Sequence, residues 1–189
     1  QQLGVQCGQG FGLSSCTGNT GSGSCGTLPQ GFSCVPGARG PGVYDGTVSV
    51  YNEEQLALLS GMQCITGSLL LNYVPGADLS VLSQLRSVGG TVMIYASSSL
   101  TSLHGLENLR DIGWNLSITA NSELTSLAAL SGLTSVGAQN PEPNNLKLSV
   151  TNNAKLPACA AWQLAQQLDM ACGAGAQCEG NRGQGSCGS

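Results

Sequence analysis

The chain has 189 residues, 6 of them basic and 10 acidic, for a formal net charge of −4. Charged residues make up only 8% of it, about a third of the usual share; spread without runs, they give no electrostatic footprint for nucleic acid or an acidic membrane. No apolar stretch approaches the roughly 20 residues of a membrane helix. Nine cysteines in so polar a chain point instead to an oxidising compartment and a disulfide framework. An odd number leaves one cysteine free or joined to another chain. The chain opens Gln1-Gln2 and is read as a secreted protein whose signal has been removed.

Residues 1–42 show neither helical nor strand periodicity. Cys7, Cys16, Cys25 and Cys34 follow one another nine residues apart among glycines. So little apolar area cannot order the segment, so cross-links must.

Residues 43–171 carry a repeat. Ile65, Val88, Ile112 and Val136 recur at intervals of 23, 24 and 24 residues. Each opening is followed by a Leu-x-Ile-like strand, a polar turn and leucines three apart, such as Leu100, Leu103, Leu106 and Leu109. One such turn cannot bury its own apolar face, so neighbours must stack. The expected fold is mainly β: a short right-handed β-solenoid of about five turns with a C-terminal capping helix and disulfide-rich, glycine-rich flanks. Its strands run from Thr47–Tyr51 to Leu146–Thr151. Alternation points Val48 and Val50, Leu69 and Leu71, Val92 and Ile94, Leu116 and Ile118, and Leu148 and Val150 inward. The leucine ladders suit short helical or 3₁₀ turns on the opposite side. Gln139–Asn144 is too proline-rich for a strand and reads as a protruding loop.

Residues 157–171 read as the one good helix, with proline in the first turn and Ala, Gln and Leu propagating it. Trp162, Leu164, Leu168 and Met170 are expected to cover the open end of the stack. Residues 172–189 return to a Gly/Cys-rich module. Cys178–Ser189 matches Cys16–Thr27 at eight of twelve positions, including both cysteines and four glycines, so one module brackets the repeat at both ends. Parallel pairings, Cys16 with Cys25 and Cys178 with Cys187, are the simplest assignment, although spacing does not fix connectivity. With Cys64, Cys159 and Cys172, all nine cysteines are disulfide candidates. Gaps of five to eight residues between the closer cysteines, and a single histidine, do not suit structural zinc.

Cys64-Ile-Thr-Gly-Ser-Leu69, the Val88-Gly-Gly90 opening, Leu124-Thr-Ser-Leu127 and the closing Leu156-Pro-Ala-Cys159 resemble the receptor L-domain, the leucine-rich-repeat-like solenoid of growth-factor receptor ectodomains. The last of these is similar to the Leu-Pro-x-Cys cap of secreted bacterial members. The resemblance covers about residues 44–170. It implies an extracellular, non-catalytic recognition or wall-associated domain, but not hormone binding, since the flanking modules and the single domain depart from the receptors.

The outward strand positions are the natural binding surface. They are Thr47, Ser49, Tyr51; Ser68, Leu70, Asn72; Thr91, Met93, Tyr95; Asn115, Ser117, Thr119; and Lys147, Ser149, Thr151. Among them Tyr51, Leu70, Met93 and Tyr95 form the candidate apolar-aromatic patch, with packing beneath the N-terminal segment as the alternative use of the same residues. Asn115-Leu-Ser117 is a glycosylation sequon in form, placed inside a strand. Gly21-x-Gly-x-x-Gly26 and Gly183-x-Gly-x-x-Gly188 match a dinucleotide fingerprint only literally, with no strand before or helix after. His104 lies near Glu107 and Asp111 in sequence as a turn histidine, and no serine stands in a nucleophile elbow. The expectation is therefore a non-enzymatic extracellular surface protein, without a cofactor or metal, recognising or adhering to a protein or cell-surface carbohydrate through its sheet face. The alternative is a structural subunit joined to copies of itself, head to tail, through the N-terminal arm and end modules.

Overall fold

The computed structural model describes residues 34–35, 37–74, 78–140, 146–173 and 175–184. The chain is mainly β, with two parallel sheets and two short helices among these residues. Five circuits each lay one strand in either sheet. In the first, β1 (Val43–Tyr44) joins the short sheet and β2 (Val48–Val50) the long one. The next three circuits repeat this with β3 (Cys64–Ile65) and β4 (Leu69–Asn72), β5 (Ser87–Val88) and β6 (Val92–Tyr95), then β7 (Asp111–Ile112) and β8 (Leu116–Thr119). The fifth adds β9 (Ser135–Val136) and β10 (Leu148–Thr151). Among these ten strands spatial order follows chain order in both sheets, and every pairing is parallel.

The repeat openings Ile65, Val88, Ile112 and Val136 thus belong to two-residue strands of a second sheet, rather than serving only as lead-ins to the main strands. In the long sheet, the inward residues stack turn upon turn: Val48, Leu69, Val92, Leu116 and Leu148 in one row, Val50, Leu71, Ile94, Ile118 and Val150 in the next. All ten are buried, as alternation requires. The leucine ladders close the opposite side of the same core. They form 3₁₀ turns at Leu79–Leu82 and Ala128–Leu130, while Leu100–Leu109 runs through irregular turns. Close stacking at the corner after the short strands explains a glycine: a Cβ at Gly113 would run into the Gly89 carbonyl.

Successive circuits are joined inside the core by a ladder of polar side chains. The Val74 N–H donates to Ser97 Oγ (3.1 Å), the Ser97 N–H to Asn121 Oδ1 (3.0 Å), the Asn121 N–H to Asn153 Oδ1 (3.0 Å) and the Asn153 N–H to Asn181 Oδ1 (3.2 Å). Each asparagine amide returns bonds to carbonyls of the turn before, Asn121 to Ile94 (2.9 Å), Asn153 to Ile118 (3.0 Å) and Asn181 to Val150 (2.7 Å). Ser97 and the three asparagines are buried. The residue before each step has positive φ: Tyr73, Ala96, Ala120, Asn152 and Gly180.

Two expectations change at the C-terminal end. The helix α2 spans Ala158–Gln167 and buries Ala161, Leu164 and Ala165, while Trp162 faces outward at 55% exposure. Consecutive residues of a helix point about 100° apart, so with Ala161 packed inward Trp162 is carried to the outer side. Gln167 ties the helix to the leucine side, donating to Leu130 O (2.9 Å) and Leu133 O (2.6 Å). Beyond it, β11 (Ala171–Cys172) and β12 (Gly175–Gln177) continue the long sheet, with β12 pairing to β10. β12, Asn181 and Gly183 are hydrogen-bonded to the body that precedes them. Cys178 pairs with Cys172 (Cα–Cα 5.7 Å), not with Cys187, since the turn at Gly173 folds the two strands side by side. Cys34 pairs with Cys64 (Cα–Cα 5.8 Å), and Cys159 is disulfide-bonded as well. Cys7, Cys16, Cys25 and Cys187, and with them the Cys16–Cys25 pairing and most of the Gln139–Asn144 loop, lie outside the described residues.

A second helix, α1 (Glu53–Ala57), starts at Asn52, whose side chain accepts from the Gln55 N–H at 2.9 Å. It is short because only Leu56 among its residues is buried.

Removing one rung should be costly. Asn121→Ala strands the Ser97 N–H in the core, worth about 1–3 kcal/mol, and removes the amide's bonds to the Ile94 carbonyl and Asn153. Urea unfolding should show stability lowered by about 3 kcal/mol or more, with Asn121→Asp also destabilised because it cannot donate to Ile94. A midpoint equal to wild type would mean that the ladder does not support the fold.

Candidate functional site

The outer face of the long sheet collects the residues singled out above. Leu70 and Met93 are direct partners across β4 and β6, both half-buried, in a row that runs from Ser49 through Ser117 to Ser149. Asn72 pairs with Tyr95, Tyr95 with Thr119 and Thr119 with Thr151. Tyr51 stands one residue beyond β2 and heads that line, since Val50 pairs with Leu71. Its N–H is bonded by Gln55 Oε1 (2.8 Å). Tyr51 is 55% exposed and Tyr95 38%, so the two tyrosines reach solvent, with Leu70 and Met93 half-buried in the neighbouring row.

Alternation along the strand misses Tyr73. Counted by parity, it should turn inward after Asn72, but its φ of 54° rotates it out, leaving the ring 62% exposed. There it packs edge-on against Tyr95, with ring centroids 5.5 Å apart and planes at 85°. The Tyr73 phenol is pushed above its ordinary pKa, first by a hydrogen bond with Tyr95 and then by the charge that Tyr95 acquires on ionising. The available signal was a register one: Tyr73 occupies the corner position filled elsewhere by Ala96, Ala120, Asn152 and Gly180.

Of the fifteen outward positions on the five strands, Lys147 alone carries a charge, which makes the face neutral over most of its width. Thr119 and Thr151 hydroxyls meet at 3.2 Å, and Ser117 meets Thr119 at 3.3 Å, so the hydroxyls form a connected row. Asn115 is half-buried with its amide 3.0 Å from that of Asn140, which leaves its sequon crowded.

Nothing comparable gathers around the ionisable groups. His104 is 72% exposed and bonded through Nδ1 to Glu107 (2.8 Å), at the surface of a turn. Burial works against ionisation of Glu107, but backbone N–H groups, including that of Gly105 (2.8 Å), and His104 outweigh it and hold the carboxyl below its usual value. Asp78 is lowered by capping the Ser80 N–H (2.9 Å). Asp45 is lowered first by the Thr66 hydroxyl (2.7 Å) and then by the Gly37 N–H (3.2 Å). These are structural uses. Among the described residues no group of three or more His, Cys, Asp or Glu is placed to hold a metal ion, and no helix is long and apolar enough to cross a membrane. Two hollows among the described residues, about 220 Å³ beside Cys34 and Asp111 and about 290 Å³ between Leu127 and α2, are shallow and small for a ligand pocket.

No protein-family model, curated protein or solved structure matches the chain.

Asp45 generates a pH prediction. Its folded pKa lies below 3.8, so the stability it contributes is present above that value and lost as pH falls through the folded pKa. The melting temperature of Asp45→Asn should lie below wild type from neutral pH down to about 4, and the difference should close in stronger acid. A constant gap at all pH values would mean that the carboxylate charge is not what holds the Gly37 stretch to Thr66.

Proposed function

We propose that this is a secreted, non-enzymatic surface protein that recognises or adheres to its partner through the outer face of the long sheet. The observation that carries the reading is the cluster of exposed tyrosines on an otherwise neutral and nearly cleft-free face. Exposed aromatic surface of this kind marks contact sites, because a large rigid ring buries much area at low entropic cost. Disulfides in a chain of low charge support an extracellular setting. The finer architecture is read as a short right-handed β-solenoid of the receptor L-domain kind with α2 as its cap, supported by two in-register parallel sheets visited alternately. A domain of that kind presents surface rather than enclosing a reaction, and the exposed His104–Glu107 pair, set in no cleft, supports a non-catalytic role.

The test uses labelled protein on isolated cell walls and immobilised matrix proteins. The triple variant Tyr51→Ala, Met93→Ala, Tyr95→Ala should lose at least about tenfold in retention, since interface aromatics carry most of the energy. Its melting temperature should stay near wild type because the tyrosine rings are exposed and Met93 is only half-buried. Trp162→Ala, on the outer side of α2, should retain normally. Equal retention of triple variant and wild type would remove the sheet face from the reading.

A second reading, self-assembly into a filament or coat, draws on the sheet edge. β2 ends the long sheet with no strand partner on its outer side among the described residues, and an open edge is a template for pairing. Light scattering of the oxidised protein should then show species far above 19.1 kDa; a monomer before and after reduction supports the recognition reading.

A further inference from the structure

We infer that the tyrosine cluster is a platform for a neutral, extended β-1,4-linked glycan, which lies across the strands of the long sheet. This rests on the sheet-face reading above and names the chemistry of the partner.

Sugar rings joined by β-1,4 bonds carry their hydroxyls around the edge and leave flat C–H faces above and below. Those faces are weakly positive and stack on the negative face of an aromatic ring. A tyrosine adds a hydroxyl at the rim, and the neighbouring ring edges are met by Ser, Thr and Asn. The sheet supplies this set. Tyr51 and Tyr95 lie on the same line two strands apart, roughly 10 Å, close to one disaccharide repeat of such a glycan. Tyr73 stands edge-on to Tyr95 between them and the turn, as a wall beside the second stacking position. Past Tyr95 the line continues in the linked hydroxyls of Thr119 and Thr151.

Charge distinguishes this partner from a folded protein. Protein interfaces add arginine to their aromatic hot spots and surround them with charged rims that set register; here the line from Tyr51 to Thr151 has no charged member. A neutral ligand loses nothing on such a face, whereas a protein would bring charges that find no counterpart.

The backbone of Tyr73 adds an independent argument. A bulky residue at positive φ is an outlier that costs stability, and a ring left 62% exposed, with its edge contact to Tyr95, gains little burial to offset it. Asparagine, found at the equivalent Asn152, would fit the corner better. The strain is intelligible if the ring serves a ligand.

The experiment is retention of the oxidised protein on microcrystalline cellulose, chitin and starch, followed by calorimetric titration with cellohexaose and chitohexaose. The expected result is retention on cellulose or chitin, the two arms telling glucose from N-acetylglucosamine, with none on starch, whose α-bonds curl the chain. Salt at about 0.5 M should leave it unchanged, because no charges are involved. Tyr95→Ala should weaken hexaose binding about tenfold. Tyr73→Asn should weaken it too while melting at the same temperature as wild type or higher, a combination that damage to the fold would not give. Retention on neither β-glycan, or retention indifferent to both substitutions, overturns the proposal. If the β-glycans fail while adhesion to walls or matrix proteins still depends on Tyr51, Met93 and Tyr95, the glycan is wrong and the sheet face stands, with a protein as partner. If that adhesion is indifferent as well, the sheet-face reading falls with it.

Discussion

The rest of the structure depends on the buried ladder that runs from Val74 through Ser97, Asn121 and Asn153 to Asn181. Where the chain leaves each long strand it must turn inside a core too apolar to hydrate its peptide groups. An unpaired N–H or C=O there costs about 1–3 kcal/mol. Asparagine solves both halves at once, since its oxygen takes the N–H of the preceding turn and its amide gives bonds to a carbonyl of that turn. Because each rung binds backbone on a neighbouring circuit, the ladder also sets register. A slip of one residue would break every rung and exchange the inward and outward rows.

That register is what makes the outer face usable. With every circuit aligned, residues of one class fall into straight rows, and the rows of hydroxyls and tyrosines follow without further organisation. The ionisable groups that do special work, Asp45, Asp78 and Glu107, are spent on turns and corners. The neutrality of the sheet face is thus a consequence of where the fold places its few charges.

How much of this could be read from the sequence depends on the range of the forces involved. The 24-residue period and the ten inward residues were legible because burial repeats at fixed spacing and leaves a periodic trace. The short sheet was not, since strands of two residues such as Ser87–Val88 carry no alternation to detect. The asparagines were hidden by their type: a lone Asn after a strand reads as a turn residue, and only the alignment of Asn121, Asn153 and Asn181 across circuits reveals a ladder. The same alignment draws Asn181 out of a segment that looks like a cysteine-rich tail. Cys178 pairing with Cys172 depends on a local turn at Gly173, which the resemblance between the two end modules could not convey. In the candidate patch, Tyr51, Leu70, Met93 and Tyr95 were found by parity, while Tyr73 escaped because one positive φ reverses parity at the corner.

Scaffold and surface meet at that corner. The first rung of the ladder is the Val74 N–H held by Ser97 Oγ, and Val74 directly follows Tyr73. The backbone that a tyrosine would otherwise resist is thus fixed from the next residue by a buried bond. Strained conformations persist where their surroundings over-determine them, and here the surroundings are the ladder itself. Val74, having no polar side chain, passes nothing on to an earlier circuit, so the chain of asparagine-type bonds ends beneath the tyrosine cluster. The network that aligns the strands therefore also holds the exposed Tyr73 in place, and a change to Ser97 in the core would be felt at the surface through it.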